Sequence, residues 1–162
     1  MAKLSLAVQF AHQPDEASGE QMPSVAQFSK WARSALAVDA EITLRIVDEL
    51  EGRTLNRTYR GKDYATNVLT FPLTEEPLLV GDIILCAPVV AKEAQDQHKS
   101  LLAHFAHLTI HGVLHLQGYD HETEPQAELM EENEIRIMQK LGYADPYHYN
   151  EGSPTTAKIN HG

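Results

Sequence analysis

Strand-like and helix-like segments alternate along the chain, and this order limits the possible folds more than any other feature. Apolar periodicity predicts four strands, the third of them stopping at Pro72, over residues 3–10, 42–46, 66–71 and 79–86. Helices are predicted over 24–38 and 52–59, and three more open near Pro88, Ser100 and Thr123. Strands separated by helices favour parallel pairing, whereas the short link 72–78 allows an antiparallel pair. We therefore predict an α+β fold with a four-stranded mixed sheet covered by helices.

The length and composition predict one domain with its own core. The chain has 162 residues, of which 43% are hydrophobic and 22% charged, as in typical globular domains. A chain of this length buries about two thirds of its unfolded surface, so it needs no disulfide or metal merely to fold. We expect a single domain over 1–150 and a flexible tail over 151–162, a segment with little apolar content.

Two absences in the sequence bear on its compartment. No apolar run approaches the ~20 residues that a membrane-spanning helix needs, and the N-terminal residues fit a strand better than a signal peptide. The single cysteine, Cys86, cannot form an internal disulfide, which fits a reducing compartment. We predict a cytoplasmic protein that does not contact a membrane.

The charge is unevenly distributed. The net charge of −10 argues against non-specific nucleic-acid binding, which depends on neutralising phosphates. However, residues 51–62 contain four basic side chains against one acid, so a local basic patch remains possible. Residues 120–134 contain seven acids and no Lys or Arg, and we expect the acid-rich stretch 122–134 to form the solvated face of the last helix.

A histidine cluster is the strongest functional signal. His111 and His115 are four residues apart on a predicted helix, so their rings share one face. Gly118 can adopt the positive φ that ends a helix, and His121 then follows as a third nitrogen ligand. Three histidines leave one position open, as in catalytic zinc sites. Helix packing would better explain an isolated pair at this spacing, but the third histidine and the intervening glycine favour a metal.

The ligand spacing also matches that of metzincin peptidases, which suggests a different substrate. Those enzymes carry a glutamate directly after the first histidine as the general base. Here that position is Gly112, which cannot move a proton. The spacing therefore predicts a metal site but gives little support to a peptidase.

Four further residues could support the ligands. A metal-bound histidine usually donates its other N–H to an acceptor, and Asp82 and Asp120 are candidates for that role, with ordinary turn capping as the alternative for each. His104 and His107 extend the face of His111 towards the helix N-terminus. They could support the site, although amphipathic packing explains them better.

Three sequence blocks carry a further signal when they are taken together. The first block runs from His111 to His121 as His-Gly-Val-Leu-His-Leu-Gln-Gly-Tyr-Asp-His. The second runs from Leu55 to Pro72 and includes Tyr59-Arg60-x-Lys62-Asp63 and Thr66-Asn67-Val68-Leu69-x-Phe71. The third comprises Gly81-Asp82-Ile83 and Lys92-Glu93-Ala94-Gln95. From about residue 40 to residue 143, the chain thus resembles the YbeY family of bacterial endoribonucleases and rRNA maturation factors.

The resemblance implies a function as well as a fold. It implies a single α+β domain that binds one Zn²⁺ per chain through His111, His115 and His121 and cleaves single-stranded RNA. It also implies maturation of the 3′ end of small-subunit ribosomal RNA and a role in ribosome quality control, with the ribosome or small-subunit proteins as partners. Arg60 matches the functional arginine of the family. Its guanidinium offers a fork of donors that fits phosphate oxygens, although a surface salt bridge is the alternative.

We expect Arg60 and a zinc-bound water to be the catalytic groups. No side chain stands out as the general base, so zinc-bound hydroxide is the first candidate and the 2′-hydroxyl of the substrate is the second. Two other functions remain open. The protein could be a zinc hydrolase of a peptide or small amide, or a non-enzymatic ribosome assembly factor whose metal only orders the helix-turn.

Overall fold

A computed structural model describes residues 2–12 and 22–147, so the predicted tail over 151–162 lies outside the described residues. The observed order of elements agrees with the predicted order. The four strands are β1 (Leu4–Phe10), β2 (Ala40–Val47), β3 (Val68–Thr74) and β4 (Leu79–Cys86). The five helices are α1 (Val25–Ala35), α2 (Glu49–Arg60), α3 (Ala87–Asp96), α4 (Leu101–Leu116) and α5 (Glu124–Lys140).

The strands form one mixed sheet in the order β1-β2-β4-β3. The β1–β2 and β2–β4 pairs are parallel, and the β3–β4 pair is antiparallel. The parallel pairs are the strands that helices separate along the chain, while the short link between β3 and β4 permits the antiparallel pair. The predicted α+β fold and four-stranded mixed sheet are confirmed.

The third strand passes through Pro72, where the sequence predicted its end. β3 is an edge strand, and Pro72 lies opposite Gly81 where the pairing register shifts before Thr74. Proline is tolerated on an edge because its missing N–H costs no ladder hydrogen bond there. The second helix is also longer than predicted, because Asp48 caps it by accepting from the Glu51 N–H at 2.8 Å.

Helix α4 lies at the centre of the molecule. It contacts α1, α3 and α5 as well as strands β3 and β4, and every residue from His104 to Leu114 is buried. Gly112 allows the close approach to the sheet, because a Cβ there would lie 3.0 Å from Cδ1 of Ile83. The histidines of α4 are therefore held by a helix that is fixed on nearly every side.

No helix in the described part of the chain is both long and apolar enough to cross a membrane.

Candidate metal centre

The three histidines of the predicted metal site converge at the C-terminal end of α4. His111 and His115 stand one turn apart, and their ring centres are 6.1 Å apart. Gly118, with φ of 102°, turns the chain after the helix and brings back His121. The ring of His121 lies 6.1 Å from that of His111 and 5.7 Å from that of His115. The structure thus brings all three predicted ligands together.

The donor set fits a metal such as zinc. With metal–nitrogen bonds of about 2.1 Å, imidazoles on one ion have ring centres roughly 5 to 6 Å apart, close to the spacing found here. Among the described residues, the group whose donor atoms all lie within 4.8 Å of one another consists of His115, Asp120 and His121, without His111. Asp120 is therefore a possible fourth ligand as well as a possible acceptor, and its Oδ1 already accepts from the His121 backbone N–H at 2.7 Å.

Burial keeps one ligand in its metal-binding form. Desolvation of the half-buried His115 lowers the pKa of its imidazole, as do the neighbouring His111 and His121, although its own backbone and Asp120 act in the opposite direction. A metal binds the neutral imidazole. The local environment thus favours the protonation state that the site needs.

Arg60 lies in the same pocket as the three histidines, although it precedes them by some fifty residues in the chain. The pocket holds about 170 Å³ and is lined by Arg60, Val68, Thr70, His111, His115, Asp120, His121 and Glu122. This volume is below the roughly 300 Å³ at which sites for whole small molecules begin. The pocket therefore suits a single phosphate group with water, and not an entire nucleotide.

The surrounding strand fixes the guanidinium of Arg60. Its Nη2 donates to the Thr70 carbonyl at 2.9 Å, and its Cζ lies 5.5 Å from the centre of the Phe71 ring, within cation–π distance. Arg60 is the last residue of α2, and Thr70 and Phe71 belong to β3. The end of one helix and one edge strand thus hold a positive group at the side of the pocket.

The rest of the basic segment is partly neutralised. Arg53 donates to both carboxylate oxygens of Asp63, at 2.9 and 3.0 Å, and Arg57 lies 3.8 Å from the same carboxylate. The hydrogen bond from Arg53 holds the pKa of the Asp63 carboxyl below its usual value. The net positive charge available to a phosphate is therefore smaller than the sequence suggested.

Glu134 is a site residue that sequence reasoning missed. The acids of 122–134 are predicted to form a solvated face, but Glu134 is fully buried, and its Oε1 lies 3.4 Å from Nδ1 of His111. Its position on α5 gave a usable signal, because it falls on the same helical stripe as Met130, Ile137 and Met138. An acid on an apolar stripe indicates a buried partner.

His107 and His111 are linked through Glu134, since both approach its Oε1. Nε2 of His107 donates to Oε1 of Glu134 at 2.5 Å. Burial lowers the pKa of His107 to about 4, so the ring is neutral at physiological pH. For Glu134, burial acts to raise the pKa, but the bonds from His107 and His111 outweigh it and lower the pKa, so the group is a carboxylate. His104 has no such link and instead pairs with Glu93 at 3.0 Å.

The two candidate acceptors, Asp82 and Asp120, lie in different places in the fold. Asp120 lies at the pocket, whereas Asp82 lies on β4, paired in register with Thr43 and Phe71.

The position that holds the general base in metzincins has a different environment in this structure. Gly112 is pressed against Ile83, so a carboxylate at this position would meet the core.

The fold and the pocket define a small α+β protein with a metal-capable histidine centre beside an arginine. A family model described as "Endoribonuclease YbeY" matches residues 12–142. A protein of that name from Methylobacillus flagellatus is 65% identical, over 91% of this chain and 95% of its own length. Another from Nitrosospira multiformis is 56% identical, over 90% and 82%. The chain belongs to the endoribonuclease YbeY family.

A solved structure supports the fold. The solution structure of a Thermotoga maritima protein aligns with a TM-score of 0.52 and 24% sequence identity, over 88% of this chain and 99% of that one. The backbone arrangement therefore recurs in a protein of distant sequence.

Proposed function

We propose that this chain is a zinc-dependent endoribonuclease that cleaves single-stranded regions of ribosomal RNA. The observation that carries the proposal is the shared pocket, in which three imidazoles and one guanidinium surround space for a phosphate group. Membership of the endoribonuclease YbeY family supports RNA as the substrate. The decisive test is cleavage of ribosomal RNA by the purified protein, with and without chelator, beside a His115→Ala control.

Each group in the pocket has a proposed role. His111, His115 and His121 would hold one zinc ion, which when bound supplies Lewis-acid polarisation and lowers the pKa of water. Arg60 would bind the scissile phosphate through its planar donor fork. Because Thr70 and Phe71 already fix the guanidinium, it would stabilise the growing transition-state charge with little reorganisation.

The biological setting remains part of the proposal. We place the protein in the cytoplasm, as one domain over 1–150, acting on the 3′ end of small-subunit ribosomal RNA and in ribosome quality control. A protein with a net charge of −10 gains little from the general attraction of RNA. Contacts with the ribosome or with small-subunit proteins would therefore help to bring it to its substrate.

An exposed aromatic side chain next to Arg60 supports a preference for unpaired RNA. Tyr59 is 64% exposed and packs edge-on against Phe71, with ring centres 5.3 Å apart. Unpaired bases stack on such rings, whereas bases inside a duplex cannot reach them. The Tyr59–Phe71 pair would thus hold a base next to the phosphate that Arg60 binds.

Replacing Tyr59 with alanine is expected to raise the KM for single-stranded RNA about tenfold, because base–aromatic stacking contributes roughly 1–3 kcal/mol. The Tyr59→Phe variant retains the ring and should remain near wild type. Steady-state cleavage of a short unpaired oligonucleotide measures both. Equal KM values for wild type and Tyr59→Ala would show that the ring does not contact the substrate.

Cleavage at sub-saturating RNA is expected to fall as salt rises, despite the acidic net charge. With a slope of about −0.7 per phosphate contact on single strands, two contacts give about a sevenfold fall between ~50 and ~200 mM salt. The Asp63→Asn variant releases Arg53 and Arg57 from their ion pairs, so it should cleave faster at low salt and show a steeper slope. A flat profile for both proteins would exclude contact between this segment and RNA.

A further inference from the structure

A buried carboxylate lies directly behind the metal-capable histidines, on the side away from the pocket. The side chain of Glu134 is 1% exposed. Its Oε1 accepts from Nε2 of His107 at 2.5 Å and from the hydroxyl of Tyr147 at 2.8 Å. The same oxygen lies 3.4 Å from Nδ1 of His111. Helix α4 and the segment that holds Tyr147 therefore meet at one oxygen atom of α5.

Burying such a carboxylate lowers the stability of the fold unless hydrogen bonds compensate for the loss of water. Removing a charge from water carries a large penalty, which only good hydrogen bonds offset. In the described part of the chain, the second oxygen, Oε2, has no hydrogen-bond partner. Glu134 thus retains acceptor capacity, and the side chain immediately next to it is His111.

The contact is with the ring nitrogen that faces away from the pocket. A metal-bound histidine that uses Nε2 must carry its proton on Nδ1, and the acceptor of that proton fixes both the tautomer and the ring orientation. His111 lines the pocket, while its Nδ1 approaches Glu134. The geometry therefore presents Nε2 of His111 to the pocket.

We propose that Glu134 is a positioning residue for the metal centre. Its carboxylate accepts a hydrogen bond from the Nδ1–H of His111 and is itself held by His107 and Tyr147. This inference rests on the proposed metal-dependent function. Glu134 does not touch the metal or the RNA. It acts by keeping His111 in the orientation and tautomer that bind the ion, and by making the imidazole a stronger metal ligand.

A second buried histidine of α4, His104, also pairs with a carboxylate and provides a matched control. His104 is as buried as His107, and its Nε2 lies 3.0 Å from Oε1 of Glu93. Glu93 also accepts from Nδ2 of Asn67 at 3.0 Å. Neither His104 nor Glu93 lines the pocket among the described residues. Loss of the Glu93 charge should therefore disturb the core of the domain without reaching the metal.

The experiment compares Glu134→Gln, Glu93→Gln and the wild-type protein. Zinc affinity is measured by competition with a chelator, and the absorption spectrum of the Co²⁺-loaded protein reports the ligand field. Glu134→Gln should weaken zinc binding about 10- to 100-fold, the usual effect of losing such a partner, and shift the Co²⁺ bands. Glu93→Gln should bind zinc within about twofold of wild type, and its Co²⁺ spectrum should not change.

Two results would overturn the inference. One is unchanged zinc affinity in Glu134→Gln, and the other is an equal loss in Glu93→Gln, which would indicate general core damage. If thermal unfolding shows that Glu134→Gln does not fold, Tyr147→Phe decides, because it removes the 2.8 Å bond to Oε1 and keeps the aromatic ring. It should weaken zinc binding at least twofold, and unchanged affinity would overturn the inference. Failure of the wild-type protein to bind zinc would instead overturn the proposed function.

Discussion

The double variant His111→Ala/His115→Ala is expected to lose its metal and, with it, RNA cleavage. The two rings provide two of the three imidazoles at the pocket, and one remaining histidine cannot retain the ion. Loss of a residue that merely orients a ligand already costs 10- to 100-fold, so loss of two ligands should reduce cleavage by more than about 100-fold. Elemental analysis of the purified protein and single-turnover cleavage measure the two effects.

The control for this variant is His104→Ala, which removes a buried histidine from the same helix but away from the pocket. It should lower the thermal midpoint, because it leaves a cavity and removes the histidine partner of Glu93, yet it should retain the metal. Full metal occupancy in the double variant would refute the site.

Arg60→Lys is expected to reduce the turnover rate about 100-fold while the metal stays bound. Lysine keeps the charge but loses the planar fork that fits a phosphate, and a preorganised donor of this kind contributes roughly 3 kcal/mol to the transition state. The turnover rate should fall more than the RNA affinity does. The fold should be unaffected, because Arg60 is an exposed residue.

Arg57→Lys provides the matched comparison, because Arg57 is an exposed arginine one turn earlier on α2 that pairs weakly with Asp63. It should cleave at nearly the wild-type rate. Zinc content, thermal midpoint and single-turnover rate are measured for both variants. Near-normal cleavage by Arg60→Lys would show that Arg60, like Arg53 and Arg57, is an exposed charge outside the catalytic machinery. Loss of zinc would make it a structural residue.

Local patterns in the sequence were sufficient to predict most of the strands and helices. The fourth strand was predicted over the residues it occupies, and α1 and α5 begin directly after Ser24 and Thr123, where the sequence predicted these helices to open. These features depend on neighbours within about four residues, so one sequence contains them. The histidines of α4 were visible for the same reason, since helical spacing alone places them on one face.

Contacts between distant segments were not available from the sequence. The passage of β3 through Pro72 depends on its place at the edge of the sheet, which no local pattern reveals. The position of Arg60 beside the histidines follows from the packing of β3 against α4, and only the family resemblance indicated it beforehand. Glu134 was missed because the charge of its neighbours outweighed its place on an apolar stripe.

The enclosure of α4 has a consequence for how the site exchanges its ion. Because the sheet and three helices pack against α4, the core and not an ion determines the positions of His111 and His115. The centre is therefore preformed, unlike metal sites that assemble around their ion, in which binding and folding are one event. An ion bound at the proposed centre would incur little ordering cost, so it would leave and return while the domain keeps its shape.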